Sequence, residues 1–238
     1  MGVSSASAPR RSALIAEETK ELILEAAETE FAYCGFASAR LEDIAERVGI
    51  TRAAIIYHYG DKKTLYEAVL EAAFSSLTDS MRKELDSGSS HAERVERVVN
   101  TWIDVAGKRP TLARLYLREV ADAREEFRPE VKHLFDPMFG LILEAVEEGQ
   151  RAGAFRQFDP QHLISTLAGA TTWFAINTPL LGSHTSLRPT SRQQDLSNDL
   201  TKVDTDIESN ADDFAAYRKE LMGVTRYLLG TSDTEKEG

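Results

Sequence analysis

The side chains best suited to metal binding, nucleophilic attack or proton transfer are scattered along this chain. His58, His91, His133, His162, His184 and the single cysteine, Cys34, fall on different segments. None stands at a metal-ligand spacing, no glycine-rich run could cradle a phosphate, and no Ser, His and Asp set is brought together. The expectation is no catalytic residue, no metal and no cofactor. One stretch carries another chemistry, recognition. Between Leu41 and His58 two short helical patterns are separated only by Gly49, Ile50 and Thr51. Gly49 permits the backbone conformation that reverses the chain. Ala45 is small enough for a close helix crossing, and Ile44, Val48, Ile50 and Ile55 supply its apolar contact. That geometry pushes the later helix forward, where it could enter a major groove. A plain helical hairpin within a bundle has the same pattern.

The surrounding elements must hold that stretch in place. Residues 1–15 are small and polar, with Pro9 and Arg10-Arg11, and read as a disordered arm. From Glu17 the apolar residues Leu22, Ile23, Ala26, Ala27, Phe31 and Cys34 recur at three- and four-residue steps until Gly35 stops the run. Cys34 is expected there as a small buried residue. Helices follow at 41–48, at 52 to about 58, and from Asp61, a capping residue, to the DSGSS stretch. Further helices are expected at 91–107, 110–123, 129–151, 160–178 and 211–229, three of them opened by a first-turn proline. Pro137 should kink or divide its helix. Pro179 and Gly182 should end the helix from 160. The polar run 182–210 reads as a mobile loop and 231–238 as a solvated tail. The chain is therefore all-α. Residues 16–65 are expected to form a small helix-turn-helix domain. The long fourth helix joins it to a larger helical ligand-binding and dimerisation domain over 66–230.

Composition sets limits on partners. The 238 residues are 42% hydrophobic and 28% charged, with net charge −11. Residues 1–65 hold eight Lys and Arg against ten Asp and Glu; the remainder holds twenty against twenty-nine. Any DNA-binding face must therefore be a local basic patch in front of an acidic body. No apolar run approaches the ~20 residues that span a bilayer, and the N-terminus lacks the apolar core of a signal peptide. A cytoplasmic protein without a membrane partner is expected.

The segment 20–70 resembles the TetR family of transcriptional regulators. Gly35-Phe36, Asp43-Ile44-Ala45, Gly49-Ile50-Thr51, Tyr57-His58-Tyr59 and Lys62–Leu65 carry the likeness. The resemblance implies that Thr51 and Arg52 open a reading helix that contacts bases and phosphates. Arg52 suits guanine, and Ala53 and Ala54 suit a thymine methyl. It implies phosphate contacts from Tyr57, His58, Lys62 and the neighbouring Lys63, the lysines standing at a free helix N-terminus. Three positions depart from the family pattern. Ile56 replaces a common tyrosine, Arg40 a common Ser or Thr cap, and Glu42 a common basic residue. Arg40 could reach a phosphate or base; Glu42 would repel phosphate if it faced DNA.

The same resemblance implies a double-stranded operator, a small-molecule ligand and a homodimer. Trp102, Tyr116, Phe135, Met138, Phe139, Trp173 and Phe174 could line an apolar pocket, with Asn177, Arg118 or His133 orienting the ligand. Aromatics at helical spacing also serve as plain core. The helices at 160–178 and 211–229 would form a four-helix interface through Leu163, Leu167, Ala170, Phe214, Tyr217, Leu221 and Val224. Phe214 to Leu228 steps 3, 4, 3, 4, a coiled-coil-like seam. The reading is a ligand-released repressor on a palindromic operator. The alternative is a helical small-molecule binding protein that has lost specific DNA binding.

Overall fold

The computed structural model describes residues 7–87, 90–123, 127–183 and 207–231. Every regular element among them is a helix: α1 (Ser7–Ser38), α2 (Leu41–Val48), α3 (Arg52–Tyr59), α4 (Lys62–Ser87), α5 (His91–Lys108), α6 (Pro110–Asp122), α7 (Pro129–Arg151), α8 (Pro160–Ser183) and α9 (Ile207–Leu229). Helices α1 to α3 form a small head on the start of α4. The rest of α4 packs against α5 and α7, while α8 and α9 lie beside α5.

Local chemistry sets the element ends. Gly35 breaks α1 with φ 77° and ψ 162°. Gly49 ends α2 in the left-handed region, its N–H donating to the Glu46 carbonyl at 3.1 Å while the Ile50 N–H reaches Ala45 at 3.0 Å. This paired arrangement satisfies the last carbonyls of the helix. The Thr51 hydroxyl caps α3 by accepting from the Ala54 N–H at 3.2 Å, and the Asp61 carboxylate caps α4 from Thr64 at 2.8 Å.

Several boundaries differ from the sequence reading. Helix α1 already runs at Ser7, well before Glu17, and Pro9 near its described start is tolerated, since a first-turn N–H has no carbonyl to bond. Residues 7–15 of the expected disordered arm are therefore helical; 1–6 lie outside the described residues. Pro137 does not divide α7, which runs unbroken from Pro129 to Arg151. Helix α8 continues past Pro179 to Ser183, and α9 starts at Ile207. A proline inside a helix removes one hydrogen bond, and packing along the remaining turns can carry that cost. The rest of the expected loop, 184–206, and the tail from 232 lie outside the described residues.

One apolar core runs through both parts of the molecule. Ile23, Phe31, Ile44, Ile55 and Leu65 of the head are fully buried and continuous with Phe74, Leu77, Ile103, Leu112 and Phe135 of the body. The head is thus fused to the body, not hung from it. Cys34 is exposed, contrary to expectation, because it ends the helix just before the Gly35 break. A hydrogen bond to Glu30 pushes its thiol above the ordinary range.

Candidate nucleic-acid interface and ligand cleft

Helix α3 is short, and only Ile55 of its eight residues is buried. Ile55 fixes the crossing with α2, and the Tyr59 hydroxyl donates to the Lys20 carbonyl of α1 at 3.0 Å. The opposite face is free. Arg52, Ala53, Ile56 and Tyr57 are exposed, Tyr57 by 85%, with the His58 ring edge-on to it at 5.3 Å. Tyr57 is therefore no core aromatic; a ring left this far in water is available to a partner.

The charged residues expected here divide by their contacts. Arg52 and Arg40 converge on one carboxylate: Glu42 lies 3.3 Å from Arg52 Nε and 4.0 Å from Arg40 Nε, all three more than half exposed. Arg40 stands at the N-cap of α2 without capping it. Lys62 is drawn back, its Nζ donating to the Ala37 carbonyl at 3.2 Å and lying 5.0 Å over the Phe36 ring. Lys63 pairs with Glu67 at 3.4 Å and with Glu130 of α7 at 3.7 Å. The N-terminus of α4 was expected to be free for phosphate; the Asp61 carboxylate occupies it instead. The Thr64 N–H holds the Asp61 carboxyl below its usual range. Thr51 and Ala54 take part in the α3 cap described above.

Three polar contacts bind α6 to the head. Glu28 of α1, buried, takes Arg109 in an ion pair and accepts from the Thr111 hydroxyl at 2.5 Å. Arg118 donates to the Ala32 carbonyl at 3.0 Å and the Tyr33 carbonyl at 2.8 Å, the last turn of α1 before its break. In the core, the Tyr66 hydroxyl of α4 donates to Glu119 at 2.5 Å, and Arg128 donates to both oxygens of that carboxylate at 3.0 and 2.9 Å. Burial and the Glu119 carboxylate push the Tyr66 phenol well above its ordinary range. Tyr66 also packs on Phe31 and Phe36, so Glu119 reaches the head's own aromatic core. This anchor was invisible in the sequence, because nothing in the spacing joins residues 66, 119 and 128.

The other side of α6 faces a cleft of about 510 Å³ between α6, α7 and α8. Tyr116, Leu117 and Val120 form one wall, Phe139 and Leu143 the floor, and Gln161, Ile164, Ser165, Ala168, Gly169, Thr172 and Trp173 the other wall. A smaller void of about 30 Å³ continues inward past Tyr116, Phe139, Ile164 and Ala168 to Met81, Trp102 and Met138. No lining residue of either carries a formal charge. Of the expected ligand residues, Trp102, Tyr116, Met138, Phe139 and Trp173 line these spaces. Phe135, Phe174 and Asn177 do not. Phe135 is fully buried among Phe74, Tyr116, Phe127 and Phe139, and Phe174 stacks on Tyr217 at 4.0 Å. Asn177 donates back to the Trp173 carbonyl of its own helix. Arg118 is committed to α1, and His133 faces Glu71 at 3.2 Å.

The expected interface residues divide in the same way. Leu163, Leu167 and Leu221 are buried within the subunit, because α9 packs on its own α5 and α8, with Arg226 bound to Glu96 at 2.9 Å and Arg218 paired with Asp104. Ala170, Phe214 and Tyr217 are half-buried, and Val224 is exposed. Trp173 and Tyr227 stand out by 67% and 70%; Tyr227 was not among the expected contacts.

Comparison with known proteins places this architecture. Residues 23–69 match the family model for bacterial regulatory proteins of the tetR family, and residues 88–176 match a tetracyclin repressor-like C-terminal domain. The transcriptional regulator RutR of Escherichia coli is 28% identical over 160 residues, covering 66% of this chain and 73% of RutR. Among solved structures, the regulator FadR from Bacillus subtilis in complex with stearoyl-CoA aligns with a TM-score of 0.63 at 13% identity, covering 89% of this chain and 98% of FadR. AibR in complex with isovaleryl coenzyme A and operator DNA aligns with a TM-score of 0.62 at 15% identity, covering 87% and 97%. The two family models cover more than half of the chain and meet the head and the body in order, so the chain belongs to the TetR family of DNA-binding, ligand-binding transcriptional regulators.

Proposed function

We propose that the protein is a homodimeric repressor that holds a palindromic operator through α3 and is released by a small apolar ligand bound between α6, α7 and α8. The observation that carries this reading is the free face of α3, with Arg52, Ala53 and Tyr57 exposed on a helix anchored by Ile55. Arg52 meets a guanine and Ala53 a thymine methyl, while Tyr57, His58 and Arg40 reach phosphates. Lys62 contributes only by leaving the Ala37 carbonyl. The dimer buries the outer faces of α8 and α9, with Trp173, Val224 and Tyr227 joining Ala170, Phe214 and Tyr217. It sets the two reading helices ~34–36 Å apart.

The uncharged cleft supports an apolar ligand, since a charge buried there would lack a partner. Helix α6 carries its effect to the DNA. One face of α6 forms the cleft wall, and Thr111, Arg118 and Glu119 on it hold α1 and α4. A ligand that moves α6 therefore moves the head, by a coupling of ~1–3 kcal/mol.

The test is a gel shift on DNA upstream of the protein's own gene. Arg52→Ala should weaken operator binding by ~1–3 kcal/mol and relax one base position. Unchanged affinity in that variant refutes the docking. Native mass spectrometry of the purified protein then looks for a retained neutral molecule.

A further inference from the structure

Glu42 is the odd residue of the reading face. It puts a negative charge where phosphates approach, yet it sits between two arginines, 3.3 Å from Arg52 Nε and 4.0 Å from Arg40 Nε. The three residues come from different places in the local fold. Arg40 is the N-cap of α2, Glu42 lies in its first turn, and Arg52 opens α3. The tight Gly49 turn and the crossing over Ile55 bring those helix starts together.

The cluster does not serve stability. All three side chains are more than half exposed, and solvent screening leaves such pairs little net worth. Its contact geometry points elsewhere. The Glu42 carboxylate lies closest to Nε of Arg52, the donor nearest the chain, so the paired terminal nitrogens are not its nearest partners. That pair is the one matching the two acceptors on the major-groove edge of guanine. The same carboxylate also withdraws charge from Arg40 and Arg52 toward any phosphate. Phosphates are present at every DNA sequence; the matching base edge is present only at the site.

We propose that Glu42 is a specificity-determining residue: it positions the Arg52 guanidinium for a base and lowers binding to DNA that lacks that base. At a wrong sequence, Glu42 leaves a repulsion against the backbone that nothing offsets. At the right sequence, Arg52 is presented already aligned, and less side-chain freedom is lost on binding. Discrimination thus comes from weakening the wrong complex as well as from favouring the right one. This rests on the proposed entry of α3 into the groove.

The experiment uses the full-length protein and two duplexes of equal length. One is selected from a random library by the wild-type protein; the other is of mixed sequence without that site. Fluorescence anisotropy over a salt series gives affinity for each, with wild type, Glu42→Gln and Arg52→Ala compared at matched circular dichroism. Glu42→Gln should bind the mixed duplex about tenfold tighter, with a salt dependence steeper by roughly one phosphate contact. It should bind the selected duplex within about threefold of wild type, so the specificity ratio falls severalfold. A purely structural role for Glu42 would leave the salt slope unmoved. An unchanged ratio and slope in Glu42→Gln, with Arg52→Ala losing discrimination, overturns the role of Glu42 alone. Arg52→Ala discriminating as well as wild type overturns the reading of α3, and Glu42 with it.

Discussion

The head that carries α3 is held by two seams of different chemistry. Against α2 the buried part of the seam is apolar: Ile44, Ala45 and Ile55 close it, Gly49 fixes the angle, and the Glu42–Arg52 pair lies at its exposed rim. Against the body the shared apolar core is joined by polar contacts: Glu28 with Arg109 and Thr111, the α1 carbonyls with Arg118, and Tyr66 with Glu119 and Arg128. Close-packed apolar contacts have one good fit and resist small shifts. Hydrogen bonds to buried carboxylates depend on direction as well as distance, so a shift of α6 is felt at named contacts of the head. The difference ties the inside of the head to close fit and its attachment to the position of α6.

Mutations should separate the two seams. Ile55→Ala should cost the most, about 2–5 kcal/mol, because Ile55 is fully buried and its loss leaves a cavity. Chemical denaturation measures it, and DNA release by ligand should be unaffected in whatever protein remains folded. Glu119→Ala should cost about 1–3 kcal/mol by leaving the buried Tyr66 hydroxyl without an acceptor. Unlike Ile55→Ala, it should change the ligand concentration that releases DNA. Equal effects on release would erase the distinction between the seams.

The Tyr66 phenol sharpens the polar seam further. Its ionisation is raised in the folded state, so its contribution is whole below the ordinary phenol value of about 10 and is lost as pH rises beyond it. An alkaline titration following tyrosinate absorbance should show a late-ionising class of phenols that loses one member in Tyr66→Phe. Gly49→Ala should cost about 1–2 kcal/mol, the strain of a side chain at φ 76°, since open space surrounds that position. Thr51→Ala should cost about 1 kcal/mol through the lost cap of α3. Asp61 gives the smallest effect. Its carboxyl is held low by the Thr64 N–H, so its contribution is present at neutral pH and is lost on acidification through its folded value; Asp61→Asn should flatten that acid limb.

The head was legible because its turns are written in single residues. Gly49, Gly60 and Asp61 mark its boundaries by local chemistry alone, as Pro110 and Pro129 do in the body, and the helices begin and end where those residues stand. Features depending on contacts between distant segments were not legible. Helical spacing places Phe135 and Phe139 on neighbouring turns of α7, but only packing puts Phe139 on the cleft floor and Phe135 in the core. The 3, 4, 3, 4 steps of α9 are not treated alike: Leu221 is buried within the subunit and Val224 is exposed, a division that periodicity does not give. Glu42 read as a departure hostile to phosphate; its two arginine neighbours emerge only once α2 and α3 cross.

Gly35 carries one more consequence. A Cβ built there would lie 2.8 Å from the Arg118 guanidinium, and its φ of 77° disfavours any other residue. The bare backbone is thus the socket for an arginine from the ligand-binding body. Chimeric sensors that join this reading head to a foreign effector domain would therefore break at this socket. A working graft must bring an arginine at the matching place on its own α6, or carry α6 along with the head.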